Sequence, residues 1–95
     1  MIKIIKNNNV IEISGHAGYD TYGKDIVCSS VSSICYTTIN ALKKLDKFIE
    51  VVDKDKMIIK FDSNDEESIK LIDNMLDLLK DLSNDYPKNI IVKEN

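Results

Sequence analysis

Two long stretches with helical spacing constrain the fold of this chain more than any other feature. The first covers residues 25–45. The second covers residues 64–82, with Ser63 or Asn64 as its cap. In both, apolar side chains recur at intervals of three and four residues, which is the spacing of one buried helix face. The predicted buried positions are Val27, Val31, Ile34, Thr38, Leu42 and Leu45 in the first helix, and Ile69, Ile72, Met75, Leu76 and Leu79 in the second.

Short β-rich runs surround the two helices and supply the layer on which they pack. Residues 7–9 are asparagines, which tolerate the positive φ of a tight turn, so the first two runs predict a hairpin. Residues 53–56 separate the next pair as a second hairpin. The predicted strands are residues 1–6, 10–14, 48–52, 57–61 and 89–93. The order ββαββαβ predicts an α+β fold: a two-layer sandwich of two helices on one mostly antiparallel five-stranded sheet, forming a single domain over residues 1–95.

Composition limits the partners of such a domain. The 13 basic residues are all lysines and face 16 acidic residues, which gives a net charge of -3. Without arginine the chain lacks the planar group that binds phosphate through two bonds, and it has no basic field for nucleic acid. No apolar run approaches the ~20 residues of a membrane span, and the charged N-terminus does not resemble a signal peptide. We therefore expect a cytoplasmic protein with no direct nucleic-acid or membrane partner.

The two cysteines, Cys28 and Cys35, are predicted to be free thiols. Seven residues of helix rise about 10.5 Å, whereas a disulfide needs Cα atoms within about 7 Å. The same separation prevents both thiolates from binding one zinc ion at a Zn–S distance of about 2.3 Å, so we expect no metal site. Two free thiols are typical of a reducing compartment. Cys35 lies well past the helix start and is interpreted as a small buried hydrophobic residue.

Unusual residues are concentrated in residues 14–33. Residues 15–24 hold all three glycines and the only histidine, His16. Asp25 is the predicted N-cap of the first helix, which places Cys28 beside unpaired N–H groups and the positive end of the helix dipole. Both favour the thiolate, the nucleophilic form of cysteine, and a histidine within reach would act as its base. The N–H groups of the first turn, including that of Cys28, are candidate oxyanion donors.

Each of these residues also has an ordinary structural interpretation. A histidine after a strand is commonly satisfied by nearby polar groups, and glycines in a loop commonly serve turn geometry. Tyr19 and Tyr22 fit loop anchors as well as ligand platforms. Small serines such as Ser29 and Ser32 would let the helix approach the sheet closely. Spacing alone leaves the catalytic and the structural interpretation open.

One continuous segment, G-H-A-G-Y-D-T-Y-G-K-D-I-V-C-S-S-V-S, resembles the signature of the bacterial ribosomal-processing cysteine protease family, Prp. In that family a G-H-A opening, a glycine-containing loop and a D-I-V-C helix start bring a catalytic histidine and cysteine together. The resemblance implies His16 and Cys28 as the catalytic pair, supported by Gly15, Asp25 and Ser32. The residues expected to form a substrate loop are Gly18, Tyr19, Tyr22 and Gly23.

The resemblance also implies an activity. Members of the family remove a short N-terminal extension from the twenty-seventh large-subunit ribosomal protein and cut after a bulky aromatic residue, without metal or cofactor. Two other classes stay open: a non-catalytic ribosome-associated binding module, which would need no thiol, and a thiol redox sensor, which would gain nothing from His16.

A homodimer is the expected assembly. The hairpins and the last strand leave sheet edges, and Ile39 lies off the predicted buried face of its helix, so a second copy would have surfaces to cover. Edge lysines such as Lys3 and Lys60 would equally protect the strands of a monomer. The resemblance favours the dimer, with each site built from His16 and Cys28 of one subunit.

Overall fold

The helices and strands follow one another in the predicted order ββαββαβ along residues 1–21 and 23–95, which this computed structural model describes. The α+β fold class is therefore confirmed. The strands are β1 (Ile2–Asn7), β2 (Val10–Ser14), β3 (Ile49–Asp53), β4 (Met57–Phe61) and β5 (Ile90–Glu94), and the helices are α1 (Ile26–Lys44) and α2 (Glu66–Asp85).

The five strands form one mixed sheet in the order β3-β4-β2-β1-β5. The two hairpins pair antiparallel, and β2 joins them by pairing antiparallel with β4, so that Ile11 lies opposite Ile59. Only β1 and β5 run parallel, with Ile2 opposite Ile90, among the strands of the described chain. That pairing needs a crossover, and α2 supplies it between β4 and β5. The sheet is thus mostly antiparallel, as predicted.

The core lies between one face of the sheet and the two helices. Both helices pack on the sheet and on each other, so each buries a broad apolar stripe. The side chains that are most deeply buried are Ile4, Ile11, Ile59 and Ile90 from the sheet, Val27, Cys35, Ile39 and Leu42 from α1, and Ile72, Met75, Leu76 and Leu79 from α2.

Helix α2 differs from the prediction at both ends. Its N-cap is Asp65, not Ser63 or Asn64, and the Asp65 carboxylate accepts hydrogen bonds from the Ser68 N–H at 3.0 Å and the Ser68 hydroxyl at 2.7 Å. The Lys47 ammonium donates to the other Asp65 oxygen at 3.0 Å. The helix continues to Asp85 rather than Leu82, because helical hydrogen bonding persists up to the residue before Pro87.

The buried face of α1 is also wider than its spacing predicts. Ile39 is completely buried, so the expectation that it lies off the core face is wrong. Helix α1 contacts both the sheet and α2, so it buries a wider face than a single apolar stripe predicts. Leu45, predicted to be buried, is 47% exposed because it is the C-cap, where the chain leaves the helix. Ile34 and Ile69 are half-buried.

We predict that Ile39→Ala lowers the free energy of unfolding by about 2–5 kcal/mol, because it removes a fully buried side chain and leaves a cavity. Leu45→Ala on the same helix should lower it by less than about 1 kcal/mol, since that side chain is half in solvent. Urea denaturation of both variants beside the wild-type chain measures the difference. Equal losses would show that Ile39 contributes no more to the core than the half-exposed Leu45.

Candidate functional site

The loop between β2 and α1 lies at one end of the strands of the sheet, where several chain segments meet. Ser14 at the end of β2 is paired with Lys3 near the start of β1, and the first residues of β1 and β5 are paired with each other. The turn between β3 and β4 lies at the same end of the sheet, because Ile13 lies opposite Met57, the first residue of β4. The N-terminus of α1 therefore opens onto a cleft walled by sheet ends and loops.

Gly15 makes the sharp exit from β2. Its φ is +84°, a left-handed conformation that residues with a side chain rarely adopt. A Cβ atom at this position would also overlap the backbone carbonyl oxygen of Met1. Both constraints require glycine, which gives the predicted supporting residue a physical function at the base of the loop.

The Asp25 carboxylate joins the loop to the helix. Its Oδ1 atom accepts hydrogen bonds from the N–H groups of Val27 at 3.0 Å and Cys28 at 3.1 Å, which confirms Asp25 as the N-cap. Its Oδ2 atom accepts from the N–H groups of Tyr19 at 2.9 Å and Asp20 at 3.2 Å. One side chain, only 6% exposed, thus holds the loop and the helix start against each other.

The charge of Asp25 is set by two opposing effects. Burial of the side chain favours the neutral acid and acts to raise its pKa, whereas the backbone N–H donors of Cys28, Asp20, Tyr19 and Val27 favour the carboxylate. The donors prevail, and the pKa of Asp25 lies below its ordinary value. The positive end of the α1 dipole acts in the same direction.

Cys28 lies half-buried in the first turn of α1, at the floor of the cleft. Its Sγ atom accepts a hydrogen bond from the Ala17 N–H at 3.4 Å. The N–H groups of Val27 and Cys28 donate to Asp25, and that of Ser29 donates to the Asp25 carbonyl. The sequence offers these first-turn N–H groups as oxyanion donors, but in the structure they already have partners. The donor that faces the sulfur is the Ala17 N–H, which comes from the loop.

His16 is exposed and lies beside Cys28 in two adjoining cavities. The larger one, about 750 Å³, lies on the loop side, and the smaller one, about 310 Å³, is bounded by the turn between β3 and β4. His16, Cys28 and Ser32 line both. Within the described residues no hydrogen bond joins the imidazole to the thiol, although both side chains line the same two cavities. Gly18, Gly23 and Asp25 line the larger cavity as well.

The predicted substrate loop is only partly described. The ring of Tyr19 packs edge-on against that of Tyr86 at the end of α2, with centroids 5.3 Å apart, which is the geometry of a loop anchor. Tyr22 lies outside the described residues.

The second thiol is a core residue, as predicted. Cys35 is fully buried, and that burial raises its pKa to about 12, which leaves it protonated and unreactive at neutral pH. Among the residues that the structure describes, no group of three or more histidine, cysteine or acidic side chains is placed to hold a metal ion, and no helix has the length and hydropathy to cross a membrane.

Two groups at the site were not found from the sequence. One is the Ala17 N–H, which reaches the Cys28 sulfur, and the other is Asn89, whose Nδ2 donates to the Ala17 carbonyl at 2.8 Å. A backbone group carries no sequence signal of its own. Asn89 lies 72 positions from the residue it binds, and an asparagine before a strand is typical of an ordinary turn.

Comparison with known proteins gives consistent relatives over most of the chain. The family model described as Cysteine protease Prp matches residues 1–91. The ribosomal processing cysteine protease Prp of Bacillus subtilis (strain 168) is 30% identical over 93 residues, which cover 88% of this chain and 83% of that protein. The Staphylococcus aureus protein of the same name is 29% identical over 83 residues, which cover 82% of this chain and 78% of that protein.

Solved structures share the fold. The S. aureus protease Prp in complex with a covalently linked product peptide superposes with a TM-score of 0.87 at 24% identity, over 99% of this chain and 97% of that one. SMU.848 from Streptococcus mutans superposes with a TM-score of 0.80 at 27% identity, over 98% of this chain and 90% of that one. The first of these likenesses, at its low identity, establishes the fold alone.

We predict that the stability contributed by the Asp25 charge depends on pH. Because the pKa of Asp25 is lowered in the folded chain, this stability is fully present above the unfolded-state pKa near 3.8 and is lost as pH falls through the lower folded-state value. Asp25→Asn keeps the shape of the side chain, removes its charge and replaces one acceptor oxygen with an NH2 donor, so it should be less stable than wild type at pH 6. Urea denaturation of both proteins from pH 6 to pH 2.5 should show the difference shrinking. A constant difference would contradict the assigned charge.

Proposed function

The chain is a cysteine protease of the Prp family, and from this premise we propose that it cleaves a peptide with Cys28 as the nucleophile and His16 as its base. The single observation that supports this most is the position of Cys28 at the start of α1, where it opens into the same two cavities as His16. A substrate chain lying across the boundary of the two cavities would pass over the sulfur with the imidazole beside it.

The chemistry balances with these two side chains and water. His16 takes the proton of the Cys28 thiol, the thiolate forms a bond to the carbonyl carbon, and the carbonyl electron pair moves to the oxygen. When the tetrahedral intermediate collapses, the C–N bond breaks and the leaving amine takes the proton from His16. Water, deprotonated by His16, then attacks the thioester and releases the carboxylate product, while the proton returns to the thiol.

The cleft geometry favours a movement of His16, or of the loop that carries it, when substrate binds. His16 is exposed and adjoins the thiol without bonding to it, and catalytic contacts in free enzymes often tighten only when substrate binds. Ser32 follows Cys28 by one helical turn and lines both cavities, which supports a role for its hydroxyl in orienting the thiol or a peptide carbonyl.

The proposed substrate is the N-terminal extension of a large-subunit ribosomal protein, the twenty-seventh, processed in the cytoplasm during ribosome assembly. The relatives are ribosomal processing proteases, and one solved relative holds a substrate peptide. The larger cavity, about 750 Å³, has the volume of a small-molecule pocket, which is enough room for a bulky aromatic side chain. Gly18 and Gly23 lie along its wall, which supports the assignment of this loop to substrate binding.

We expect Cys28→Ala to lower the cleavage rate by at least about 10³-fold, because it removes the nucleophile while the fold is kept. The measurement is mass spectrometry of peptides that span the extended N-terminus of the ribosomal protein. Cys35→Ala is the matched control: it removes the same side chain two turns further along α1, from the core. It should lower stability and keep most of the activity of the folded protein.

Two further variants test the partners of the nucleophile. His16→Ala should lower cleavage by about 10²- to 10⁴-fold, and Ser32→Ala by a smaller factor at matched stability. An active Cys28→Ala protein would disprove the assignment of the nucleophile. Cleavage-deficient variants that still bind the peptide would separate loss of chemistry from loss of binding.

The proposed assembly is a homodimer. Helices α1 and α2 border an open groove on the surface, where Ile26 is 52% and Leu78 is 45% exposed, and a second copy would cover such apolar side chains. Ile39, which the sequence analysis assigned to the dimer interface, is fully buried in the core and does not contribute to that interface.

We expect sedimentation equilibrium at micromolar concentration to give twice the 10.8 kDa mass of one chain. A mass near that of one chain would rule out the dimer. Mixing His16→Ala with Cys28→Ala protein should restore no activity, because each site uses both residues of one subunit. Recovered activity would show that the sites are shared between subunits.

A further inference from the structure

Ala17 is held from both sides by hydrogen bonds that meet at the catalytic cleft. Its N–H donates to the Cys28 Sγ atom at 3.4 Å, and its carbonyl oxygen accepts from the Asn89 Nδ2 atom at 2.8 Å. Its side chain is buried, 3% exposed. The two peptide groups on either side of the Ala17 Cα atom are therefore both held. The hydrogen bond to the Cys28 sulfur holds one, and the hydrogen bond from Asn89, near the C-terminus, holds the other.

The backbone of Asn89 is itself held in place by hydrogen bonds. Its backbone N–H donates to the Tyr86 carbonyl at 2.9 Å, and its carbonyl accepts the Ile2 N–H at 2.8 Å. The residue after it begins β5, which pairs along its length with β1. The asparagine backbone is thus bound to the end of α2 and to the sheet, so that its amide projects from a rigid part of the fold.

Two glycines flank the residues that this contact holds. Ala17 and His16 lie between Gly15 and Gly18, both at positive φ, and glycine allows many backbone conformations besides the one seen. Fixing the Ala17 carbonyl holds the peptide between Ala17 and Gly18. Because this peptide shares the Ala17 Cα atom with the preceding one, it also restricts the N–H that faces the sulfur. It also restricts the position of His16, the adjacent residue.

The Ala17 N–H points at the atom on which negative charge develops when the thiol loses its proton. A hydrogen bond donated to an anion is about twice as strong as one between neutral groups, so an N–H held on Sγ stabilises the thiolate more than the thiol. The amide of asparagine suits this role, since the acceptor is a carbonyl oxygen that needs a donor. A carboxylate of the same shape would offer the Ala17 carbonyl only repulsion.

We propose that Asn89 is a positioning residue of this protease: through Ala17 it holds the N–H donor on Cys28 and His16 beside it. This inference rests on the proposed function, in which Cys28 is the nucleophile. It adds to that function a residue outside the signature segment, in the turn before the last strand. The Asn89 side chain donates to the Ala17 carbonyl, and its effect on the site passes through the Ala17 backbone.

The test compares Asn89→Ala and Asn89→Asp with the wild-type chain. Asn89→Asp keeps the shape and removes the donor, and Asn74→Ala, an exposed asparagine on α2, is the matched control. The first readout is the rate of Cys28 alkylation by iodoacetamide against pH, followed by mass spectrometry of the peptide that carries Cys28. The second is kcat and KM for cleavage of the ribosomal-protein peptide, and urea denaturation reports the folded fraction.

We expect both Asn89 variants to move the alkylation profile to higher pH, with about three- to tenfold less reaction on its rising limb, as the loss of one hydrogen bond implies. We expect kcat to fall by a similar factor while KM stays within about twofold, and Asn74→Ala to match wild type in both. Effects of this kind in fully folded protein are those of positioning, since a stability loss alone would not move the pH profile.

An unchanged alkylation profile in either folded variant would overturn the proposal. So would a fold lost in both variants, because Asn89 would then be a structural residue of the sheet edge. The thiol readout needs no substrate, which separates the two hypotheses. If the wild-type protein left the peptide uncut while the Asn89 variants still shifted the thiol profile, the proposed function would fail and the positioning effect would stand.

Discussion

One buried carboxylate holds the site together. Asp25 accepts N–H groups from the first turn of α1 on one oxygen and from the loop on the other, so the helix that carries Cys28 and the loop that carries His16 share a single anchor. Its charge is retained in spite of burial because four backbone dipoles and a helix end surround it. The same contacts occupy the first-turn N–H groups, which leaves the Ala17 N–H as the donor that faces the sulfur.

The sheet supplies the other half of the site. Parallel pairing of β1 with β5 brings the turn before β5 to the end of the sheet where β2 ends. There the Asn89 side chain donates a hydrogen bond to the Ala17 carbonyl. Gly15 passes so close to Met1 that a side chain would not fit, which seats the loop on the same strand ends. The cleft is therefore assembled from the loop after β2, the start of α1 and the turn between β3 and β4, and its geometry depends on the strand order.

The two cysteines show how position along one helix decides chemistry. Cys28 and Cys35 are two turns apart and project from nearly the same side of α1, since seven residues make about two turns. Cys35 lies over the sheet within the core, where burial keeps it protonated, with a pKa of about 12. Cys28 lies where the helix begins and the loop replaces the sheet, and there a backbone N–H and open cavities reach the sulfur. The same side chain is inert in one setting and accessible in the other.

What the sequence determined by itself was local. The order of helices and strands, the N-cap at Asp25, the first-turn position of Cys28 and the burial of Cys35 all follow from periodicity and capping among near neighbours, and the signature segment indicated the family. Only the tertiary structure decided that Ile39 is in the core, that Asp25 also binds the loop, and that Asn89 supports Ala17. These contacts depend on how the helices pack and which strands pair, and such long-range choices arise from the whole core rather than from any short stretch of residues.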